Sequence, residues 1–272
     1  MFPALDEELD ELKEVLSLSA TEVTRLRQRA ALFPQASAIL LPLLRHQEKN
    51  NDANALLAES LAYGVLQQSE AFRQWLGQHR RKSGEKTPGV ERDVLFLSRK
   101  DNLLIMRFNR PAARNAYSSG MRDALFEALC LLDVDDSIEH CIWEGAGDCF
   151  CVGGDLSEFG MTMDAALSHQ IRMERNVAAL LLKNASRIEC RVHRACIGSG
   201  IELPACVGKL VATRDTFFQL PELTMGLIPG AGGTVSLLRR IGRHRLLWWI
   251  LSGKRIHAET ALAWGLIDGI QP

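Results

Sequence analysis

Two glutamates, Glu202 and Glu222, stand twenty residues apart, and each lies beside glycine-rich backbone. Gly198-Ser-Gly200 precedes the first, Gly230-Ala-Gly-Gly233 follows the second, and a third cluster, Phe150-Cys-Val-Gly-Gly-Asp-Leu156, lies upstream. Glycines let backbone N–H groups approach a small ligand with no Cβ in the way. A turn that opens a helix adds unpaired donors backed by the positive end of the helix dipole. A carboxyl set among Ile201, Leu203 and Pro204, as Glu202 is, is expected to be partly desolvated. Desolvation raises its proton affinity toward the range useful for acid–base work. Taken singly, each glutamate is an ordinary helix-start acid. Paired with the amide clusters, they suit a reaction in which main-chain donors polarise a carbonyl and two carboxyls move protons.

Other chemistries fit these residues less well. A serine-hydrolase elbow needs glycines two residues either side of Ser199, where this chain has Ile197 and Ile201. Gly230–Gly233 lacks the dinucleotide spacing and the Lys-Ser/Thr of a phosphate loop. Asp155 follows a turn directly and reads as a helix cap before it reads as a base. Cys149 and Cys151 have no second pair at zinc spacing, and the seven histidines are dispersed, so no metal site is expected.

Residues so far apart need a scaffold that gathers loops from several strands. From Val94 onward the pattern supplies one. Val94–Leu97 and Leu103–Met106 are apolar runs split by the turn signal Arg99-Lys-Asp-Asn102, a hairpin. Ser118 or Ser119 caps a helix with Met121, Leu125, Ala128, Leu129 and Leu132 on its inner face. A strand is expected over Ile138–Trp143, one long helix from about Asp164 to Lys183, a strand over Cys190–His193, and the beginning of a helix over Glu202–Cys206. Strands at Lys209–Ala212 and Phe217–Gln219 follow, then helices at about Gly233–Arg240, Leu246–Leu251 and Ala258–Trp264, and a strand-like end at Leu266–Ile270. Strands alternating with helices point to an α/β body with parallel pairing and right-handed crossovers.

Residues 1–80 read as a helical N-terminal region. Leu5, Leu9, Leu12 and Leu16 form one apolar stripe, and Ser19 with Glu22 makes a capping box. Pro34 suits a first helical turn, whereas Pro42 should kink or end its helix. Asp52 can cap a fourth helix with Leu56, Leu57, Leu61 and Val65 inward, and Ser69 a fifth carrying Phe72 and Trp75. Nothing in this region has metal, nucleophile or phosphate-loop spacing, so packing or oligomer contact is its expected role, with docking of a carrier protein or enzyme partner the alternative. Residues 81–92, basic and containing Gly84, Pro88 and Gly89, read as a linker, and 93–272 as the second domain.

The 272 residues are 47% hydrophobic and 24% charged, with a formal net charge of −1. That balance gives no electrostatic case for nucleic acid or an anionic membrane. No apolar run is long enough to span a bilayer, and the start is acidic where a signal peptide would be basic. Seven scattered cysteines, an odd number, read as reduced thiols. A cytoplasmic protein is expected.

The span from Val94 onward resembles the enoyl-CoA hydratase/isomerase (crotonase) superfamily. The matching pieces are Asn109-Arg-Pro-Ala-Ala-Arg-Asn-Ala116, Phe150–Leu156, Gly198-Ser-Gly-Ile-Glu-Leu203 and Leu220–Thr234. The resemblance implies a spiral of ββα turns, and an acyl-CoA or acyl-carrier thioester as substrate. It implies an oxyanion hole from the amides of Gly154 and Ser199, with Glu202 and Glu222 holding a water for addition across the 2,3-double bond. Coenzyme A would enter with the substrate, along Ala112, Ala113, Arg114, Ala116 and Val152, and no metal or redox cofactor is expected. The alternatives are another reaction through the same oxyanion hole (double-bond isomerisation or decarboxylation), or a non-catalytic interaction protein on this fold. By the same likeness the assembly is a homo-oligomer, a trimer or hexamer, and the setting is fatty acid metabolism. This chain departs from the pattern in having Ser199 where glycine is usual and Ser157 where a lysine is common. It also lacks the terminal helices that family members carry beyond the position of Pro272, and the front helices are expected to stand in for them in part.

Overall fold

The computed structural model describes residues 3–83, 93–161 and 164–271. Five helices come first: α1 (Pro3–Val15), α2 (Ala20–Leu32), α3 (Pro34–Gln47), α4 (Asp52–Gln67) and α5 (Glu70–Ser83). The capping box forms as expected, Glu22 N donating to Ser19 Oγ and Ser19 N donating to Glu22 Oε2. Pro34 occupies the first turn of α3. Pro42 does not end that helix, which continues to Gln47 with Leu40, Leu41, Leu43 and Leu44 buried on either side of it. Burial of that face outweighs the ~3 kcal/mol that an interior proline costs. Asn51, rather than Asp52, caps α4 through its side chain. Of the linker expected over 81–92, residues 81–83 continue α5, and 84–92 lie outside the described residues.

The inward stripe expected on α4 is the other face of the helix. Leu57, Leu61 and Val65 are exposed, whereas Ala55, Leu56, Glu59, Ser60 and Gly64 are buried. This helix is apolar almost all round, so periodicity leaves its orientation open. Its small residues decide the matter, because they admit a close neighbour. That neighbour is the later helix over Ala165–Glu174, and a Cβ built on Gly64 would lie 3.2 Å from Arg172 Nη2.

The remaining chain builds two sheets. Strands β1 (Leu95–Lys100) and β2 (Leu103–Phe108) form the expected antiparallel hairpin. After α6 (Ser119–Val134, capped by Ser118) comes β3 (His140–Gly145). The single helix expected up to Lys183 is two, α7 (Ala165–Glu174) and α8 (Val177–Lys183), because the Asn176 side chain accepts from Ala179 N and restarts the helix. Next come β4 (Ile188–Val192), β5 (Ala195–Ile197), α9 (Ser199–Glu202), β6 (Lys209–Thr213) and β7 (Phe217–Gln219). They are followed by α10 (Gly233–Ser252), β8 (Ile256–His257), α11 (Ala258–Trp264) and β9 (Gly269–Gln271). Helix α10 is kinked at Gly242, whose φ of 76° and ψ of 162° are not helical, which corresponds to the two helices expected there.

The larger sheet has the order β1-β2-β3-β4-β6-β9 and is parallel from β2 onward; the smaller has the order β5-β7-β8. Two successive turns of chain give one strand to the larger sheet and the next to the smaller, β4 then β5 and β6 then β7, each before a helical segment. This is the ββα spiral. One continuous apolar core runs from Leu9 and Leu12 in α1 to Leu266 and Ile267. Arg29 Nε donates to Leu251 O at 2.6 Å, and Gln47 Nε2 to Thr234 Oγ1 at 2.8 Å, fastening the front helices onto α10. All seven cysteines are free. Among the described residues no helix is long and apolar enough to cross a membrane.

Candidate active site

Strands β5 and β7 run parallel with Ile197 opposite Gln219, and Gly198 N donates to Gln219 O at 2.9 Å. The segments that leave these two paired strands therefore start side by side. One turns into α9, which carries Glu202, and the other into the short 3-10 turn Glu222–Met225. Both glutamates are buried, Glu202 at 2% exposure and Glu222 at 9%. The point where a Cβ on Gly198 would stand lies 2.5 Å from Glu222 Oε1 and 3.8 Å from Glu202 Oε1. The two carboxyls thus flank one spot that only a missing side chain leaves open.

Their surroundings differ. Glu202 Oε2 accepts from Ala231 N at 2.8 Å and from Gly233 N at 3.2 Å, at the start of α10. Glu222 Oε2 is buried with no hydrogen-bond partner among the described residues. Burial pushes the Glu222 carboxyl up to about 8. Burial, then repulsion from Glu222 and Glu59, pushes Glu202 well above the usual carboxylate range, against the pull of its two N–H donors. Two carboxyls so close in an apolar setting cannot both ionise easily, and they titrate as a pair.

The amide groups lie on two further segments. A parallel bridge pairs Cys151 with Cys196, and Gly154 and Ser199 each follow three residues beyond it. Tyr117 N donates to Gly153 O and Asp155 N to Tyr117 O, so the bridge across Gly154 leaves its own N–H directed away from Tyr117. Ser199 N opens α9 and has no earlier helical carbonyl to pair with. The two segments touch: a Cβ on Gly200 would lie 2.4 Å from Cys151 O. Phe159 Cε1 lies 3.0 Å from the corresponding point on Gly154. Gly154, Ser199, Glu202 and Glu222 all line a single cavity of about 440 Å³.

Of the residues expected along the coenzyme path, Val152 lines the cavity, and its N–H donates to Arg114 O at 3.3 Å. Ala112, Ala113, Arg114 and Ala116 form the adjoining turn outside it, with Ala112 and Arg114 exposed. Asp155 is held structurally. Burial raises its carboxyl, but hydrogen bonds from Ser157 and Arg110 outweigh that and keep it below its usual value.

The front helices also reach the cavity, a role that their residue spacing did not predict. Leu56, Glu59, Ser60 and Tyr63 of α4 line it, as does Arg172 of α7. The Tyr63 ring packs against Gly230 and fills the place where a Cβ there would stand. The available signal was an acid, Glu59, within the face Ala55-Leu56-Glu59-Ser60-Gly64, where an amphipathic helix would place small and apolar residues.

Comparison with known proteins agrees with this architecture. The sequence pattern of the enoyl-CoA hydratase/isomerase family matches residues 98–272. The 2,3-dehydroadipyl-CoA hydratase of Escherichia coli (strain K12) is 34% identical over 178 residues, which are 65% of this chain and 69% of that protein. The 1,2-epoxyphenylacetyl-CoA isomerase of the same organism is 31% identical over 170 residues, 61% of this chain and 64% of that one. The crystal structure of an enoyl-CoA hydratase from Mycobacterium smegmatis superposes with a TM-score of 0.61 at 28% identity, covering 65% of this chain and 69% of that structure. The chain belongs to the enoyl-CoA hydratase/isomerase family.

Proposed function

We propose that this protein adds water across the 2,3-double bond of an enoyl thioester, or removes it in the reverse direction. The observation that carries the reading is the pair of buried carboxyls, Glu202 and Glu222, flanking the open spot at Gly198. The Gly154 and Ser199 amides would donate to the thioester oxygen as it gains charge, each donor being worth on the order of 10²–10³ in rate. Of the coupled pair, Glu202, with two backbone donors at a helix start, is better suited to hold the one negative charge and take a proton from water. Glu222, with Oε2 buried and unbonded, suits the protonated partner that delivers one to C2. The reading calls for no metal or redox cofactor, because the polarising charge comes from main-chain dipoles and the protons from the two acids. Coenzyme A, or a carrier's equivalent arm, would pass Val152 with the turn at Ala112, Ala113, Arg114 and Ala116 beside it.

The test is product analysis with crotonyl-CoA and longer enoyl-CoAs. Hydration adds the mass of one water, whereas isomerisation adds nothing and decarboxylation removes carbon dioxide. Glu202→Gln and Glu222→Gln should each lower kcat on the order of 10²–10⁴-fold. Wild-type protein that adds no water, or variants as fast as wild type, would overturn the assignment.

A further inference from the structure

Four successive N–H groups across the start of α10, Ala231 to Thr234, are shared between two carboxylates in strict alternation. Ala231 N and Gly233 N donate to Glu202 Oε2, at 2.8 and 3.2 Å. Gly232 N donates to Glu59 Oε1 at 2.6 Å, and Thr234 N to Glu59 Oε2 at 2.9 Å. Thr234 Oγ1 adds a third bond to Glu59 Oε2 at 2.6 Å, and itself accepts from Gln47 Nε2 at 2.8 Å. Glu59 is only 2% exposed. A helix start stabilises negative charge through these same donors, so each carboxyl determines what the other receives. With its side chain removed, Gly232 N–H and Thr234 N–H would be buried without acceptors, which costs about 1–3 kcal/mol per group. The turn would rearrange toward the one remaining carboxyl, Glu202.

We propose that Glu59, supplied by the N-terminal helical region, is a positioning residue for Glu202: it holds the Gly230–Thr234 turn so that Glu202 keeps two N–H donors and presents its other oxygen toward Glu222. The front helices are then part of the active site. This rests on the hydratase reading for its catalytic meaning, while the geometry of the shared helix start stands apart from it. The groups facing Glu59 are Arg172 on α7, Tyr63 one turn along α4, Cys206 after α9, Thr234 on α10 and Glu202 on α9. Glu202 is faced in addition by Glu222. Arg172 does not bond Glu59, since its donors go to Ser60 and Gln67. Burial pushes Glu59 up to about 7 against the pull of its three donors, so its charge varies across neutral pH.

The experiment is Glu59→Gln in the full chain, read by steady-state kinetics across pH and by carboxyl carbon NMR of glutamate-labelled protein, with Glu202→Gln identifying the Glu202 resonance. The expected result is a fall in kcat on the order of 10²-fold, the size of a misplaced catalytic group, with KM little changed. The Glu202 titration should move to lower pH, because a like charge beside it is gone. A merely structural Glu59 would lower the melting temperature and move that titration through its lost charge alone, but would leave kcat of the folded protein unchanged. If Glu59→Gln does not fold, Thr234→Val, which removes one of the donors to Glu59, takes its place, with smaller shifts in the same directions expected. Equal kcat in whichever variant folds would overturn the proposal. If wild type proves inactive with enoyl-CoAs, the hydratase reading fails, and the Glu202 titration in Thr234→Val, which keeps the Glu59 carboxyl, decides the role of Glu59.

Discussion

At the scale of single residues, the site depends as much on what Gly198 lacks as on what the glutamates carry. Gly198 has a φ of 52° and a ψ of −123°, a combination that residues with a Cβ rarely adopt. Any Cβ there would also lie 2.5 Å from Glu222 Oε1. Gly198→Ala should therefore cost about 1–3 kcal/mol in backbone strain and displace the Glu222 carboxyl from its place opposite Glu202. The expected outcome is a drop in kcat of at least ~10²-fold with a melting temperature lower by several degrees, checked by hydration kinetics and thermal unfolding. A folded Gly198→Ala protein with unchanged kcat would mean that the spot between the two carboxyls is not where water is held. Glu202, Glu222 and the Gly198 turn were legible in the sequence because two acids each adjoin a glycine cluster, a pairing that reads as backbone brought close to a ligand. Glu59 was not legible, since a glutamate on an amphipathic helix ordinarily faces solvent and only the distant start of α10 shows what receives it.

At the scale of elements, the sequence was readable where local chemistry stands alone. Strand β7 and helix α11 fall on the expected residues because Asp215 and Pro221 bracket one, and Gly265 terminates the other in the left-handed conformation. Local signals failed where tertiary packing chose between equivalent options. Helix α3 passes through Pro42 because both flanks are buried, and α4 turns its small face inward because α7 lies close. That orientation has a functional consequence, since it sets Tyr63 over Gly230 as a wall of the cavity. Replacing the ring with a methyl group should enlarge the space for the acyl chain. Tyr63→Ala is expected to shift preference toward longer enoyl-CoAs. Each further buried methylene is worth about 0.8 kcal/mol, so the kcat/KM ratio of octenoyl-CoA to crotonyl-CoA should rise by ~10-fold or more. The comparison of kcat/KM over a chain-length series checks it. An unchanged ratio would place the acyl chain elsewhere in the cavity and leave Tyr63 as packing alone.

At the scale of the whole molecule, three carboxyls from separate parts of the chain are buried around one helix start: Glu59 from α4, Glu202 from α9 and Glu222 after β7. Bringing them together commits the fold to a particular response to pH. All three bind protons more tightly folded than unfolded, Glu59 rising from 4.5 to about 7 and Glu222 from 4.5 to about 8, each by burial first. Between pH 4.5 and 8 the folded state therefore holds more protons than the unfolded chain, and stability falls as pH rises through that window. A tenfold change in proton affinity is worth ~1.4 kcal/mol, so Glu59 alone accounts for about 3 kcal/mol of the decline. The acid side has the opposite sign. Asp155, held below its usual value by Ser157 and Arg110 against its burial, contributes stability above the unfolded carboxylate value that is lost as pH falls through its own. The maximum should therefore lie near pH 5, below the neutral range where enzymes with paired surface carboxylates are commonly most stable. Denaturant midpoints measured from pH 4 to 8 test this, with Glu59→Gln as the control: removing one buried titrating group should flatten the decline between pH 5 and 7. Stability that rises toward pH 8, or a Glu59→Gln slope equal to that of wild type, would show that these carboxyls are hydrated in solution. The apolar enclosure that sets the Glu202–Glu222 pair to share a proton would then be absent too.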